Sequence, residues 1–216
     1  YATTPSGHSP TFIATTVSST QIDFKFKAAS TLGNANGYLI IRKIGSAPTG
    51  IPVNGIRYSE FAYVGNDVVA GIVNNPADST ISIGSLTPGA QYYFMLYPFN
   101  WDNTNTQTLS YRTAITVPLT NAWTIVPPTV VTTTIAGITN NQATISGNIT
   151  ATGGLNVTNR GFAYMLYSNP GVPIPSVNAS STLDGVGPYG TGNYTLNIGV
   201  LSAETRYKVR AYAFHA

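Results

Sequence analysis

The sequence predicts an all-β protein built as two tandem sandwich domains. Three features lead there: a two-residue apolar period, an internal repeat, and a pair of prolines between its copies. Across 21–27, Ile22, Phe24 and Phe26 alternate with Gln21, Asp23, Lys25 and Lys27. Successive side chains of an extended chain point to opposite faces, so this is a strand with one dry side and one wet side. Similar runs at 10–17, 38–44, 80–86, 92–99 and 108–119 are separated by Gly, Pro and Asn clusters that read as turns. No segment has a helical period.

The repeat places Leu86-Thr-Pro-Gly-Ala-Gln-Tyr92 and Leu201-Ser-Ala-Glu-Thr-Arg-Tyr207 at an offset of 115 residues, with Leu and Tyr six apart in both. Upstream, Ser18-Ser-Thr-Gln-Ile22 matches Thr139-Asn-Asn-Gln-Ala143, and Gly37-Tyr38 matches Gly161-Phe162. One domain present twice accounts for this order. Consecutive prolines cannot extend a sheet and stiffen a linker, so Ile125-Val-Pro-Pro128 sets the boundary, giving domains 1–126 and 127–216.

Leu86, Pro88, Gly89 and Tyr92, followed by alternating apolar residues, resemble the E–F turn and strand F of fibronectin type III domains. In those Ig-like sandwiches the Tyr forms a tyrosine corner. Leu201 and Tyr207 repeat the spacing, although Ala203 and Glu204 replace the Pro and Gly of the turn. The stretches 37–42 and 209–213 also resemble strands C and F of modules in bacterial secreted and cell-surface proteins. The resemblance implies two tandem fibronectin type III-like sandwiches and an extracellular or cell-surface location. It is specific for fold and hardly for function.

A chain of 216 residues gives each domain enough length for its own core. Charged residues are 8% of the chain and hydrophobic ones 43%, so it is not the charge-rich, apolar-poor composition of a disordered chain. The net charge of +3 comes from scattered cations, which argues against a nucleic-acid partner. No run approaches the length of a membrane helix, so membrane insertion is not expected.

With no cysteine, disulfides, thiolate zinc sites and cysteine nucleophiles are excluded. His8 and His215 lie near the two ends, poorly placed for a triad or a metal. Glu60 and Asp67 form a carboxylate pair only if the fold brings them together; solvated loop acids are the plainer reading. Asp102-Asn-Thr-Asn105 offers oxygen ligands without the spacing of a calcium loop, so a polar turn is favoured. No cofactor and no enzymatic activity are expected.

Arg206, Lys208 and Arg210 place a cationic ladder on one strand face, suited to a polyanion or simply to solvent. Candidate glycosylation positions are Asn148, Asn156, Asn178 and Asn193, a number that the Asn, Ser and Thr content gives by chance, and Ser79 within Asp-Ser-Thr.

Two features point to a role. With Tyr92 inward, Tyr93, Met95, Tyr97 and Phe99 occupy the outer face of strand F, and strand C is apolar on both faces through Tyr38, Leu39, Ile40 and Ile41. Three coverings stay open: loops of the same domain, another subunit, or sugar rings stacked on Tyr93, Tyr97 or Trp101. The second feature is a missing strand G: domain one continues through 108–119, whereas domain two stops at Ala216, leaving either an open edge or a strand further along the chain. The expectation is a non-catalytic structural protein that assembles with itself into a fibre or surface array by strand exchange. Segment 1–7, with no evident partner in its own domain, is the candidate donor. The alternative is a carbohydrate-binding or adhesion module of a larger secreted protein.

Overall fold

A computed structural model describes residues 2–114, 116–167 and 180–215. The chain divides into two compact units, Tyr1–Ile125 and Val126–Ala216. Both are antiparallel β-sandwiches of the Ig and fibronectin type III kind.

In the first unit, β1 (Phe12–Thr16), β2 (Ile22–Phe26) and β6 (Thr80–Ile83) form one sheet. The other runs in the order β4 (Tyr63–Val64), β5 (Asp67–Val73), β3 (Gly37–Ile44), β7 (Gln91–Asn100) and β8 (Ser110–Tyr111), with β9 (Leu119–Trp123) also on β7. The period of β2 turns Ile22, Phe24 and Phe26 onto Tyr38, Ile40, Phe94 and Leu96 of the facing sheet. Phe24 and Phe94 fill the middle edge-to-face, with ring centroids 4.6 Å apart.

A second apolar layer lies outside this sandwich. Leu39 and Ile41 of β3 pack with Val64, Val69, Tyr97, Phe99, Trp101, Leu109 and Tyr111, so β3 is buried on both faces. Asp67 holds the covering segment in place: its Oδ2 accepts the N–H groups of Thr49 and Gly50 at 2.6 Å each. Tyr97 donates its hydroxyl to the Gly50 carbonyl at 3.1 Å.

The single strand expected at 108–119 is broken. After a 3-10 turn at Thr106–Thr108, Ser110–Tyr111 pair with β7 and the Arg112 N–H reaches the Pro98 carbonyl, but Pro98 has no N–H to return the bond; the ladder resumes at Leu119. Strand β5 escaped the sequence reading because Val68, Val69, Ala70, Ile72 and Val73 show no alternation. It lies between two apolar layers and needs none.

In the second unit one sheet is β10 (Thr129–Ala136), β11 (Ala143–Ala151) and β14 (Gly192–Ile198), and the other is β13 (Ser180–Leu183), β12 (Asn159–Leu166) and β15 (Tyr207–Phe214). Its core gathers Ile145, Ile149, Phe162, Tyr194 and Ile198. Gly161 lies near the start of β12 as Gly37 starts β3, and for one reason. A Cβ there would lie 1.9 Å from the Thr182 carbonyl oxygen, and one at Gly37 would lie 2.0 Å from that of Val73.

The repeat is a structural one. The Thr87 N–H donates to the Tyr92 hydroxyl at 2.9 Å, and the Ser202 N–H to the Tyr207 hydroxyl at 2.9 Å. Both are tyrosine corners five residues deep. Upstream, the N–H of Leu86 reaches the Thr20 carbonyl and that of Leu201 the Asn141 carbonyl. Gly89 has φ +68° and its counterpart Glu204 has φ +54°, so the turn persists without its glycine.

Candidate functional site

The two units differ most at one edge. In the first, β9 pairs with β7 from Gln91↔Trp123 to Met95↔Leu119 and turns the small side chains of Thr120 and Ala122 inward beside Phe94 and Tyr92. Thr124 closes this strand onto the tyrosine-corner turn, its N–H donating to the Ala90 carbonyl at 3.0 Å and its hydroxyl to that of Thr87 at 2.6 Å. By the 115-residue offset, the stretch of the second unit that matches Gln91–Met95 is Arg206–Arg210, where β15 begins. Among the described residues β15 pairs with β12 alone.

Further along, the Ala211 N–H is met by Thr132 Oγ1 of β10 at 2.8 Å, as the N–H of its counterpart Leu96 is met by the Pro118 carbonyl. Backbone polarity alternates along a strand, so Tyr207 and Val209 direct their N–H and C=O groups to the same side as Ala211. Among the described residues β10 borders this side through Thr132, but no strand forms a ladder with β15 there.

Beside this edge is a groove of about 350 Å³ lined by Ile135, Ile138, Ile145, Ile198, Leu201 and Val209. It exists because the second unit carries smaller residues where the first is filled: Ala143 for Ile22, Ile145 for Phe24 and Val209 for Phe94. Ile135 and Ile138 on its rim are 52% and 73% exposed.

The structure moves several expected interface residues away from any surface. Tyr38 and Ile40 are fully buried between the two sheets, because β3 takes the register that faces them to Phe26 and Phe94. The Tyr38 hydroxyl donates to the Lys27 carbonyl at 2.6 Å, and burial pushes its pKa up to about 12. Tyr97, Phe99 and Trp101 are buried under the unit's own loop, Trp101 with Arg57 stacked 4.4 Å from its ring. Loops of the same unit thus cover Tyr97, Phe99 and Trp101. Tyr93 and Met95 stay half-buried on the same face.

Asp67 is buried and hydrogen-bonded to backbone, not a solvated loop acid, while Glu60 is exposed. Asp102 accepts the N–H groups of Thr104 and Asn105, which hold its carboxyl below the usual range and make a polar turn. The histidines are not loose ends: His8 Nε2 lies 2.9 Å from the Ala114 carbonyl oxygen and His215 Nε2 2.8 Å from that of Thr152. Among the described residues no group of three or more acids and histidines is placed to hold a metal, and no helix is long and apolar enough to cross a membrane.

In segment 1–7, expected to lack a partner in its own domain, the described residues 2–7 are bonded to their own unit. Its carbonyls at Thr3 and Pro5 accept from Asn100 Nδ2 and Arg112, and its N–H at Ser6 reaches Gly33. Of the glycosylation candidates, Ser79, Asn156 and Asn193 are exposed, Asn148 is half-buried opposite Asn193 in the β11–β14 ladder, and Asn178 lies outside the described residues. Arg206 and Lys208 both stack on Tyr167, at 5.6 and 5.3 Å from its ring, and Arg210 is exposed.

No family model and no curated protein matches the chain. It is similar to a two-domain fibronectin type III segment of chicken tenascin, with 13% identity and a TM-score of 0.36 over 97% of this chain and 93% of that one. It is also similar to the FN1–FN3 domains of chicken CNTN1, with 16% identity and a TM-score of 0.40 over 100% of this chain and 63% of that one. A third is the central fibronectin-III array of RIM-binding protein, with 13% identity and a TM-score of 0.33 over 99% of this chain and 64% of that one.

The groove was not foreseen. Its signal was present in the repeat, where Phe24 and Phe94 align with the smaller Ile145 and Val209.

Proposed function

We propose that the chain is a non-catalytic, extracellular structural protein, a subunit of a fibre or surface array, joined to a neighbouring polypeptide by a strand laid along β15. The observation that carries this is the apolar groove beside β15, with Ile135 and Ile138 exposed on its rim. Unpaired edges beside apolar troughs are liabilities that proteins cover, and a strand from a neighbour is a known cover. The sparsely charged surface, rich in Thr, Ser and Asn, supports a chain surrounded by other subunits.

The test is electron microscopy and sizing of native material purified from its source, with hydrogen exchange read at Tyr207–Phe214. Polymers in which these amides are protected, set against fast exchange in the isolated chain, are the expected result. Native material that is monomeric, or that exchanges at β15 as the isolated chain does, overturns the reading.

A further inference from the structure

We infer that β14 is a self-association edge, which pairs antiparallel with β14 of a second copy of this chain about a twofold axis. The pairing joins two three-stranded sheets into one of six. It lies in the sheet β10-β11-β14 and is independent of any strand laid along β15.

A sheet edge is a template for another chain unless shortness, a bulge, a charge or a proline blunts it. Comparable edges of this chain are blunted. β6, the counterpart of β14 in the first unit, has four residues and begins two positions after Asp78. β4 has two residues, and β10, at the far side of the same sheet, is broken by bulges between Thr129 and Val130 and between Thr132 and Thr134. β14 has none of these devices. It has seven residues, no charge and no proline, and it keeps one unbroken register with β11 from Gly192↔Ile149 to Ile198↔Ala143. Among the described residues its other side pairs with no strand, and the backbone of Gly192–Ile198 makes no hydrogen bond outside the β11 ladder. That free side is set by strand order within the sandwich, as the free side of β6 is in the first unit.

The chemistry of the strand selects its own copy. With the axis at Thr195, the middle of β14, Thr195 faces Thr195 and Asn193 faces Asn197 on the outer side, while Tyr194 faces Leu196 on the inner side. Hydroxyls and amides both donate and accept, so such pairs satisfy one another. No like charges meet across the strands. A twofold axis makes each of these contacts twice and closes the pair.

The face behind the edge agrees. Where β2 carries Asp23 and Lys25 outward, β11 carries Thr144 and Ser146, and no residue of β10, β11 or β14 is charged. A polyanion finds no cation on this face. A sugar finds no ring to stack on, because Tyr194, the only aromatic residue of the three strands, is buried.

One added strand buries less than the roughly 1,200 Å² of a stable complex, so the pairing is weak in isolation and gains strength where an array joins many copies. The experiment follows the full 216-residue chain by sedimentation and amide NMR up to about 1 mM, where weak complexes form. Dimers at the top of the series are expected, with concentration-dependent shifts at Gly192–Ile198 and none at Tyr207–Phe214.

Asn193, Thr195 and Asn197 are exposed, so substitutions there keep the fold, which far-UV circular dichroism checks. T195K sets two cations across the axis and should weaken the dimer roughly tenfold. S146K adds the same charge on the same face but one strand away, and should dimerise as the parent does. N193K/N197E places Lys across from Glu twice and should dimerise more tightly than the parent, with the gain lost at high salt. No association at about 1 mM, shifts centred elsewhere than β14, or S146K as harmful as T195K would each overturn the inference. So would a glycan on Asn193 of native material, which would crowd Asn197 of the second copy. Native polymers protected at β15 but exchanging freely at β14 would sink this inference and leave the assembly reading standing; dimers through β14 with β15 unprotected in native material would do the opposite.

Discussion

The hydroxyls of Tyr92 and Tyr207 each accept one backbone N–H, but their surroundings differ. Tyr92 is buried against Phe94 and beneath the Arg42 guanidinium, 5.5 Å from its ring, so Tyr92→Phe strands the Thr87 N–H at a partly buried site. A loss of about 1 kcal/mol is expected, read as a lowered Tm of the first unit. Tyr207 is half-buried, with its pKa lowered by the Ser202 N–H, and water can replace its hydroxyl. The loss in Tyr207→Phe should be smaller, and equal losses would mean that burial does not decide the strength of these corners.

The same turn holds a strain. Glu204 and Val200 have φ of +54° and +60°, where a Cβ crowds the backbone at a cost of about 1–2 kcal/mol each. Glycine removes that cost and adds about 0.5–1 kcal/mol of chain entropy to be lost on folding. Glu204→Gly and Val200→Gly should therefore each raise the Tm of the second unit by a few degrees in a thermal melt. The sequence disclosed the corner tyrosines through their spacing. It could not disclose that Glu204 keeps a glycine's backbone, because that is imposed by Tyr207 and Leu201 on either side.

Among elements, the strands with one wet face were legible and those with none were not. β2 shows its period openly, whereas β5 hides it, since Val69 faces the outer layer and Val73 the inner one and both are apolar. The outer layer itself depends on a residue that looks like loop decoration. Asp67 binds two backbone N–H groups and has Lys43 Nζ 3.6 Å away. Removing it leaves buried donors without an acceptor, so Asp67→Ala should destabilise the first unit by about 2–4 kcal/mol. Exposure of Tyr97 to solvent, read by its fluorescence or by dye binding, should accompany the loss. Dye binding unchanged from the parent would show that the loop is held by its apolar contacts instead. Segment 1–7 belongs to this scale too. Its carbonyls serve Asn100 and Arg112, so deleting 1–7 should lower the Tm of the first unit and leave β15 exchange untouched. Faster exchange at β15 in the deleted chain would contradict the assignment of this segment to its own unit.

At the scale of the molecule, two cores of unequal completeness predict two unfolding events. The first unit has two apolar layers and a sheet completed by β8 and β9, whereas the second has one layer, an open groove and a free edge among its described residues. Burial of apolar area is the main favourable contribution to folding, so the second unit should melt first. The chain allows the two to be told apart without labels. Its only tryptophans, Trp101 and Trp123, both lie in the first unit, so their fluorescence reports that unit alone while far-UV circular dichroism reports both. Heating should lower the dichroism in two steps, with the fluorescence change confined to the upper one. I145F/V209F should raise the lower step and leave the fluorescence midpoint in place, because the added rings fill space that only the second unit leaves open. Coincident steps, or a fluorescence midpoint that moves with the groove variants, would mean that the units do not fold separately. The difference between their edges would then be no guide to which one waits for a partner strand.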